Sequence, residues 1–214
     1  MFNSPTPFQK IGFIDFENMT PLVSNLGKVL NGEPGFSMAN ELYQNENTFI
    51  LTFRSTCKQS QQKKFLEEVK TLLCSTFSKA SKLIFISSIS DEITNDHEQG
   101  RSTVYCTSGS QKSIDDLIKN FGFVDLKARI KDQDDTFASV MGGAGISKKV
   151  FSEKKKDEFP LEIKEKVIGL FVIAGGGIDF DATFHMLKVI GSILKLSFLE
   201  NSNGLKIPSC WEIA

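Results

Sequence analysis

The chain has 214 residues, 40% of them hydrophobic, with 25 basic side chains against 26 acidic ones for a net charge of −1. That length fits one domain, or one core with an extra lobe, and can bury a substantial core, while a charge balance this even gives no overall pull toward nucleic acid or anionic lipid. The four cysteines, Cys57, Cys74, Cys106 and Cys210, are far apart and show no C-x-x-C or zinc-like Cys/His spacing. Met1 to Gln9 lacks a basic start and an apolar h-region, and no apolar stretch approaches the ~20 residues a membrane span needs. The expected setting is soluble, reducing and intracellular: the cytoplasm, with the nucleus also open to the chain.

Lys10 to Phe16 reads as a strand, and Pro21 to Pro34, broken by Asn25, Gly27, Asn31 and Gly32, as a loop or short helix. Asn47 to Phe53 is a second strand, rich in aromatic and β-branched residues. Gln61 to Phe77 shifts to helical period, with Phe65, Leu66, Val69, Leu72, Leu73 and Phe77 on one face. Lys82 to Ile89 is a nearly continuous apolar run, which predicts a strand covered on both faces. Asp91 to Gly100 is an acidic loop, and Val104 to Thr107 a short strand.

Ser110 caps a predicted helix whose Ile114, Leu117, Ile118 and Phe121 share a face, with Gly122 suited to its left-handed end. A Gly-rich turn runs from Gly142 to Lys148, and Val167 to Ala174 forms a buried strand ahead of Gly175, Gly176 and Gly177. Asp181 caps the last long helix, with Phe184, Leu187, Ile190 and Leu194 on one face. Strands alternating with helices predict an α/β layered fold, and the absence of repeats or long linkers predicts one domain over residues 1–214.

Candidate chemistry is sparse. The turn at Gly145 continues Ile146-Ser147 and so fails the G-x-x-x-x-G-K-[ST] phosphate pattern. Gly175-x-Gly177 precedes a helix as a dinucleotide loop would, yet position 180 is Phe, and Asp179 and Asp181 compete for the helix start. Tight turns that need glycine are the better account. His97 stands among Asp91, Asp96 and Glu98 without a second histidine, and no G-x-S-x-G elbow exists for His185 to serve. No catalytic, cofactor or metal residue is assigned. Lys148, Lys149, Lys154, Lys155 and Lys156 form a basic cluster diluted by Glu153, Asp157 and Glu158. It is either a solvated loop or a steering patch for an acidic protein surface. Trp211, the sole Trp, sits three residues from the end behind Pro208. It either docks on the body, the favoured reading, or anchors a partner.

Several short blocks together resemble the proteasome assembly chaperone family, and within it the second subunit of the heterodimeric pair. Lys10-Ile11-Gly12-Phe13 is similar to the family's K-I-G-[YF] strand. Ile86-Ser87-Ser88, Arg101-Ser102-Thr103 and Gln111-Lys112-Ser113-Ile114 resemble its run into serines, R-S-T and Q-K-S-[IV]. Gly143, Gly145, Ile146, Ser147 and Lys148 match G-G-G-I-[ST]-K, and Lys206, Ile207, Pro208, Ser209 and Trp211 match K-I-P-S-x-W. Ala144 departs from the glycine turn, and Ala174-Gly175-Gly176-Gly177 replaces a polar E-G-D-N turn. The ending Glu212-Ile213-Ala214 does not fit the hydrophobic-Tyr-any tail by which some such chaperones dock.

The resemblance implies a three-layer α/β/α sandwich like that of the nucleoside phosphorylases. Relatives carry a strand and helix ahead of K-I-G, whereas nine residues precede Lys10 here, so that element is missing or the chain is a short form. It also implies a non-enzymatic chaperone that pairs with the first assembly chaperone, binds α-subunits of the 20S proteasome, promotes α-ring assembly and blocks off-pathway α-ring dimers. Lys148, Lys149, Ile207, Pro208 and Trp211 are its candidate partner-binding residues, with no nucleic acid or membrane involved. The rival is a nucleoside or small-ligand-binding enzyme on the same fold.

Overall fold

The computed structural model describes residues 8–28, 34–55, 57–90, 103–129, 145–151, 160–174 and 180–194. They belong to two compact units, Met1–Leu72 and Leu73–Ala214. The sequence predicts one domain throughout; the boundary between the units falls inside a helix.

In the first unit, strands β1 (Gln9–Phe13), β4 (Glu41–Asn45) and β5 (Thr48–Leu51) form an antiparallel sheet in the order β1-β4-β5. Strands β2 (Val23–Lys28) and β3 (Pro34–Met38) pair as a separate antiparallel ribbon. The loop or short helix expected over Pro21 to Pro34 is therefore corrected: most of its first half is β2. The β2–β3 register shifts between Asn25 and Lys28, so an irregularity absorbs the Gly27 that breaks the local pattern. Strand β4 was equally illegible, because Glu41, Gln44 and Asn45 are poor strand formers that pairing on both sides overrides.

Helix α1 (Gln62–Ser75) buries Phe65, Leu66, Val69 and Leu73 of its predicted face, leaving Leu72 half-buried. Phe65 meets the ring of Phe16 edge-on at 5.2 Å, and Phe53 stacks on Phe16 at 5.7 Å. Such a cluster fills space and adds ring–ring attraction without any polar group to satisfy.

The second unit holds a four-stranded mixed sheet. Its strands are β6 (Leu83–Ser90), β7 (Val104–Ser108), β8 (Val124–Asp125) and β9 (Val167–Ala174), in the order β6-β9-β7-β8. β9 runs parallel to β6 and antiparallel to β7. Among the described residues four helices accompany it: α2 (Gln111–Phe121), α3 (Gly145–Phe151), α4 (Leu161–Lys166) and α5 (Phe180–Leu194). One face of the sheet presents Val104, Cys106, Ile168, Leu170 and Val172 to Ile114 and Leu117 of α2 and Met186 and Val189 of α5. On the other face, Phe151 of α3 contacts the rings of Phe85 and Phe171, and the hydroxyls of Ser147 and Ser87 bond at 2.6 Å. Helices thus cover both faces, and the α/β class expected from the sequence is the one observed.

Local predictions fare unevenly here. Ser110 caps α2 as expected, accepting from the Ser113 N–H, and Gly122 closes it at φ 67° with its N–H on the Ile118 carbonyl. Ile118 and Phe121 stay at the exposed margin of that helix. β6 is covered on both faces in part: Ile84 packs against the core on one and Phe85 against Phe151 on the other, while Ile86 is 46% exposed. Its composition is that of an interior strand, while among the described residues it has a neighbour, β9, on one side.

α5 starts at Phe180, which puts Asp181 in the first turn instead of before it. Its buried face is Met186 and Val189 with Ile190 and Ile193 alongside, so only Ile190 of the predicted stripe takes part and the Phe184 side chain lies outside the described set. A helix apolar on most sides offers two plausible stripes, and the sheet selects one. The glycine turn passes into helix at Gly145, which takes φ 56° as the first residue of α3; Gly142, Gly143 and Ala144 lie outside the described residues.

Gly169 of β9 is where α3 comes closest. A Cβ there would lie 2.8 Å from Cε2 of Phe151 and 2.7 Å from Cε2 of Phe171. Gly12 of β1 has nothing within 4 Å of the same position. Gly169→Ala should therefore lower unfolding free energy by about 1–3 kcal/mol through overpacking, and Gly12→Ala should stay within about 0.5 kcal/mol. Urea midpoints for the two variants check the contrast.

Candidate interaction surface

The predicted partner-binding residues are only partly placed. Lys148 is half-buried on α3, Lys149 lies on the same helix with its side chain outside the described set, and Ile207, Pro208 and Trp211 lie outside the described residues. So do Gly175, Gly176, Gly177, His97 and the Asp91 to Gly100 loop. His185 is half-buried on α5. Among the described residues no three His, Cys, Asp or Glu side chains converge as a metal set.

Two of the thiols are held in the protonated form by their surroundings. Cys106 is fully buried in the β7 face, and burial with the Asp125 charge nearby pushes its thiol up to about 12. Burial, helped by the Glu68 carboxylate, raises the Cys57 thiol as well. A thiolate nucleophile needs the opposite surroundings.

The most organised polar feature sits in the first unit and had no warning in the sequence. Glu41, 1% exposed, lies on β4 with Oε1 2.5 Å from Lys10 Nζ and Oε2 3.1 Å from Arg54 Nη2. The Tyr43 hydroxyl donates to Oε2 at 2.7 Å, and the Met38 N–H to Oε1 at 3.2 Å. Arg54 also donates to the hydroxyl of buried Ser37. Glu41 and Tyr43 stand two apart on one strand and share a sheet face, while register sets Lys10 opposite Tyr43. Burial alone would raise the Glu41 carboxyl; the Lys10, Tyr43 and Met38 hydrogen bonds and the Lys10 charge outweigh it and hold the pKa at about 2. Lys10 is 31 residues away in sequence, so nothing local signals the pairing. The pairing locks β1, β4 and Arg54 together and leaves no donor or acceptor on the carboxylate poised for catalysis.

Several large apolar side chains of the first unit are exposed. Phe13, opposite Glu41 in register, is 55% exposed, and Ile11, Leu22, Val23, Phe49 and Ile50 are exposed as well. Phe13 and Leu22 flank a shallow cleft floored by Phe16, Met19, Met38 and Ala39, with about 30 Å³ of room. That is too little for a nucleoside, whose pockets run to roughly 300 Å³ or more. Asn40 also lines the cleft; its Nδ2 donates to the Ile14 carbonyl, and its buried Oδ1 has no partner among the described residues. Exposed Phe13 and Leu22 at the rim of a shallow depression suit a protein surface better than a small substrate.

No protein-family model and no curated protein sequence matches the chain. Solved structures do. One is Pyrococcus furiosus PbaA, an archaeal homolog of proteasome-assembly chaperone, similar at TM-score 0.58 and 19% identity over 88% of this chain and 70% of that one. Its monoclinic form gives TM-score 0.56 at 19% identity, covering 88% and 67%. A protein of unknown function from Thermoplasma acidophilum is similar at TM-score 0.56 and 12% identity over 90% of this chain and 69% of that one. At these identities the likeness is one of fold.

Glu41 supplies a pH-dependent prediction. Its folded pKa is depressed from 4.5 to about 2, so its contribution is fully present above about pH 5 and is lost as pH falls toward 2. Glu41→Gln should cost about 3 kcal/mol at pH 7, and the gap to the parent should close steadily below pH 4.5. Denaturant titrations of both proteins from pH 7 to pH 2 measure it; a gap independent of pH would show that the carboxylate's charge is not what matters.

Proposed function

We propose that this chain is a non-enzymatic assembly chaperone, the second subunit of a heterodimer with the first assembly chaperone. In this reading the pair binds α-subunits of the 20S proteasome, promotes formation of the α-ring and prevents off-pathway α-ring dimers. The two units act as one domain, in the cytoplasm and the nucleus. The observation that carries it is the likeness of fold to PbaA over 88% of the chain, joined by the K-I-G-F, Q-K-S-I and K-I-P-S-x-W blocks. The exposed Ile11, Phe13, Leu22 and Val23 support a protein ligand, since apolar groups left in water gain most by being covered by another chain. Lys148 and Lys149 supply steering charge, and Ile207, Pro208 and Trp211 fix the C-terminal segment near the interaction surface.

The test is co-expression with the first assembly chaperone and individual α-subunits, read by native mass spectrometry. A one-to-one chaperone pair carrying α-subunits is expected, and Phe13→Asp or Leu22→Asp should reduce its yield without shifting the urea midpoint. A parent chain that meets neither partner overturns the reading.

Trp211→Ala divides the two roles of the closing segment. Docking on the body predicts a loss of about 3 kcal/mol in stability, with weaker complex formation following from it. An unchanged denaturant midpoint with lost affinity would instead make the indole a partner anchor.

A further inference from the structure

We propose that one face of the β1-β4-β5 sheet docks an acidic segment of another protein, a carboxylate set among apolar side chains. Glu41 is the buried group that aims the receiving cations. The inference rests on the first unit's sheet alone and stands whether or not the chaperone reading does.

Register assembles this face. Lys10, Tyr43 and Ile50 form one row across the three strands, and Phe13 and Glu41 belong to the next. Residues directly opposite in antiparallel strands share a face, as do Glu41 and Tyr43, two apart on β4. Lys10 and Phe13, three apart, would ordinarily point to opposite sides. The irregularity between Lys10 and Gly12 brings both to this one. Arg54 joins them through Glu41 Oε2.

The single negative charge of Glu41 meets two positive ones, so the cluster keeps a surplus of one positive charge. The carboxylate is buried, whereas the side chains of Lys10 and Arg54 are 38% and 43% exposed, which presents the surplus to solvent. Long cationic side chains usually lose rotamer freedom when they bind. Here Glu41 and Ser37 already hold the Arg54 guanidinium, and Glu41 holds the Lys10 ammonium, so the ordering is done in folding. Phe13 and Ile50, both exposed, stand in the same two rows as these groups. An ordered arginine, a tyrosine and exposed apolar side chains on one face match the composition of interface hot spots. Complementarity fixes the partner's chemistry: apolar groups over Phe13 and Ile50, and a carboxylate on Arg54 and Lys10. A nucleic-acid backbone fits worse, because one surplus charge releases few counterions.

The experiment titrates the full chain with three short peptides of one length, in which Leu and Phe alternate with Glu, with Gln or with Lys. Amide NMR shifts report where each one binds. The Glu peptide should move the amides of Lys10, Phe13, Tyr43 and Ile50, the Gln peptide should bind at least about tenfold more weakly, and the Lys peptide not at all. Raising salt to about 0.5 M should weaken the Glu peptide most. Ile50→Lys and Ile50→Glu remove the same apolar contact and add opposite charges. The first should bind the Glu peptide at least about tenfold more tightly than the second, with urea midpoints near the parent's, as expected at an exposed position. No shift on this face overturns the proposal, as does equal binding of the Glu and Gln peptides or of the two Ile50 variants. A single-stranded oligonucleotide that moves these amides more strongly than the Glu peptide also overturns it, since the face would then be a general polyanion site.

Discussion

Strand β9 has no polar side and no solvent side. Seven consecutive residues, Val167 to Ile173, are buried, and its two edges are taken by β6 and β7. A strand in that position satisfies its backbone only through its neighbours, so the second unit cannot hold part of its sheet and lose the rest. Its even-numbered residues hold α2 and α5, and its odd-numbered ones face Phe151. Gly169 is the concession that lets the α3 ring settle against the strand, and the Ser87–Ser147 pair adds a polar contact to that layer. The parallel partnership with β6 is the more demanding one, since it joins segments about eighty residues apart and must be established against that loop entropy.

The first unit is organised on a different principle. There a carboxylate, a lysine, an arginine and a tyrosine are drawn together within a small sheet, and a triad of phenylalanines fills the space beneath the helix. Removing charge from water is costly, and the return comes only with several partners in good geometry. Glu41 has four. Such an arrangement specifies register more than it adds stability, because a one-residue slip of β4 would strand the carboxylate among apolar neighbours.

How much of this is legible in the sequence follows from where each signal resides. α2 was readable to its caps because Ser110 and Gly122 act through their own backbone neighbours. β9 was readable because a strand buried on both faces leaves an unbroken apolar run. β2 and β4 were not, since their residues are locally indifferent and their hydrogen bonds come from distant partners. Glu41 was invisible for a related reason: an isolated glutamate reads as surface, and only the fold brings Lys10 and Arg54 to it. Of the candidate contact residues, composition could point to Lys148 and Lys149, while the exposed Phe13 sat in a predicted strand and Leu22 in a predicted loop, with no sign that either would face solvent.

Cys106 has a use that follows from its depth. Its thiol lies in the sheet that β9 organises, fully buried and with its ionisation driven far above neutral pH. A maleimide or disulfide reagent can reach it only when β7 parts from the layer of helix above it, whereas Cys57 and Cys74 are half-buried and belong to other surroundings. The slow phase of thiol modification is then a clock for the breathing of the second unit. Because the sulfur reports on opening and not on contact with a ligand, it would tell whether docking of a partner elsewhere on the surface quiets the interior of the sheet.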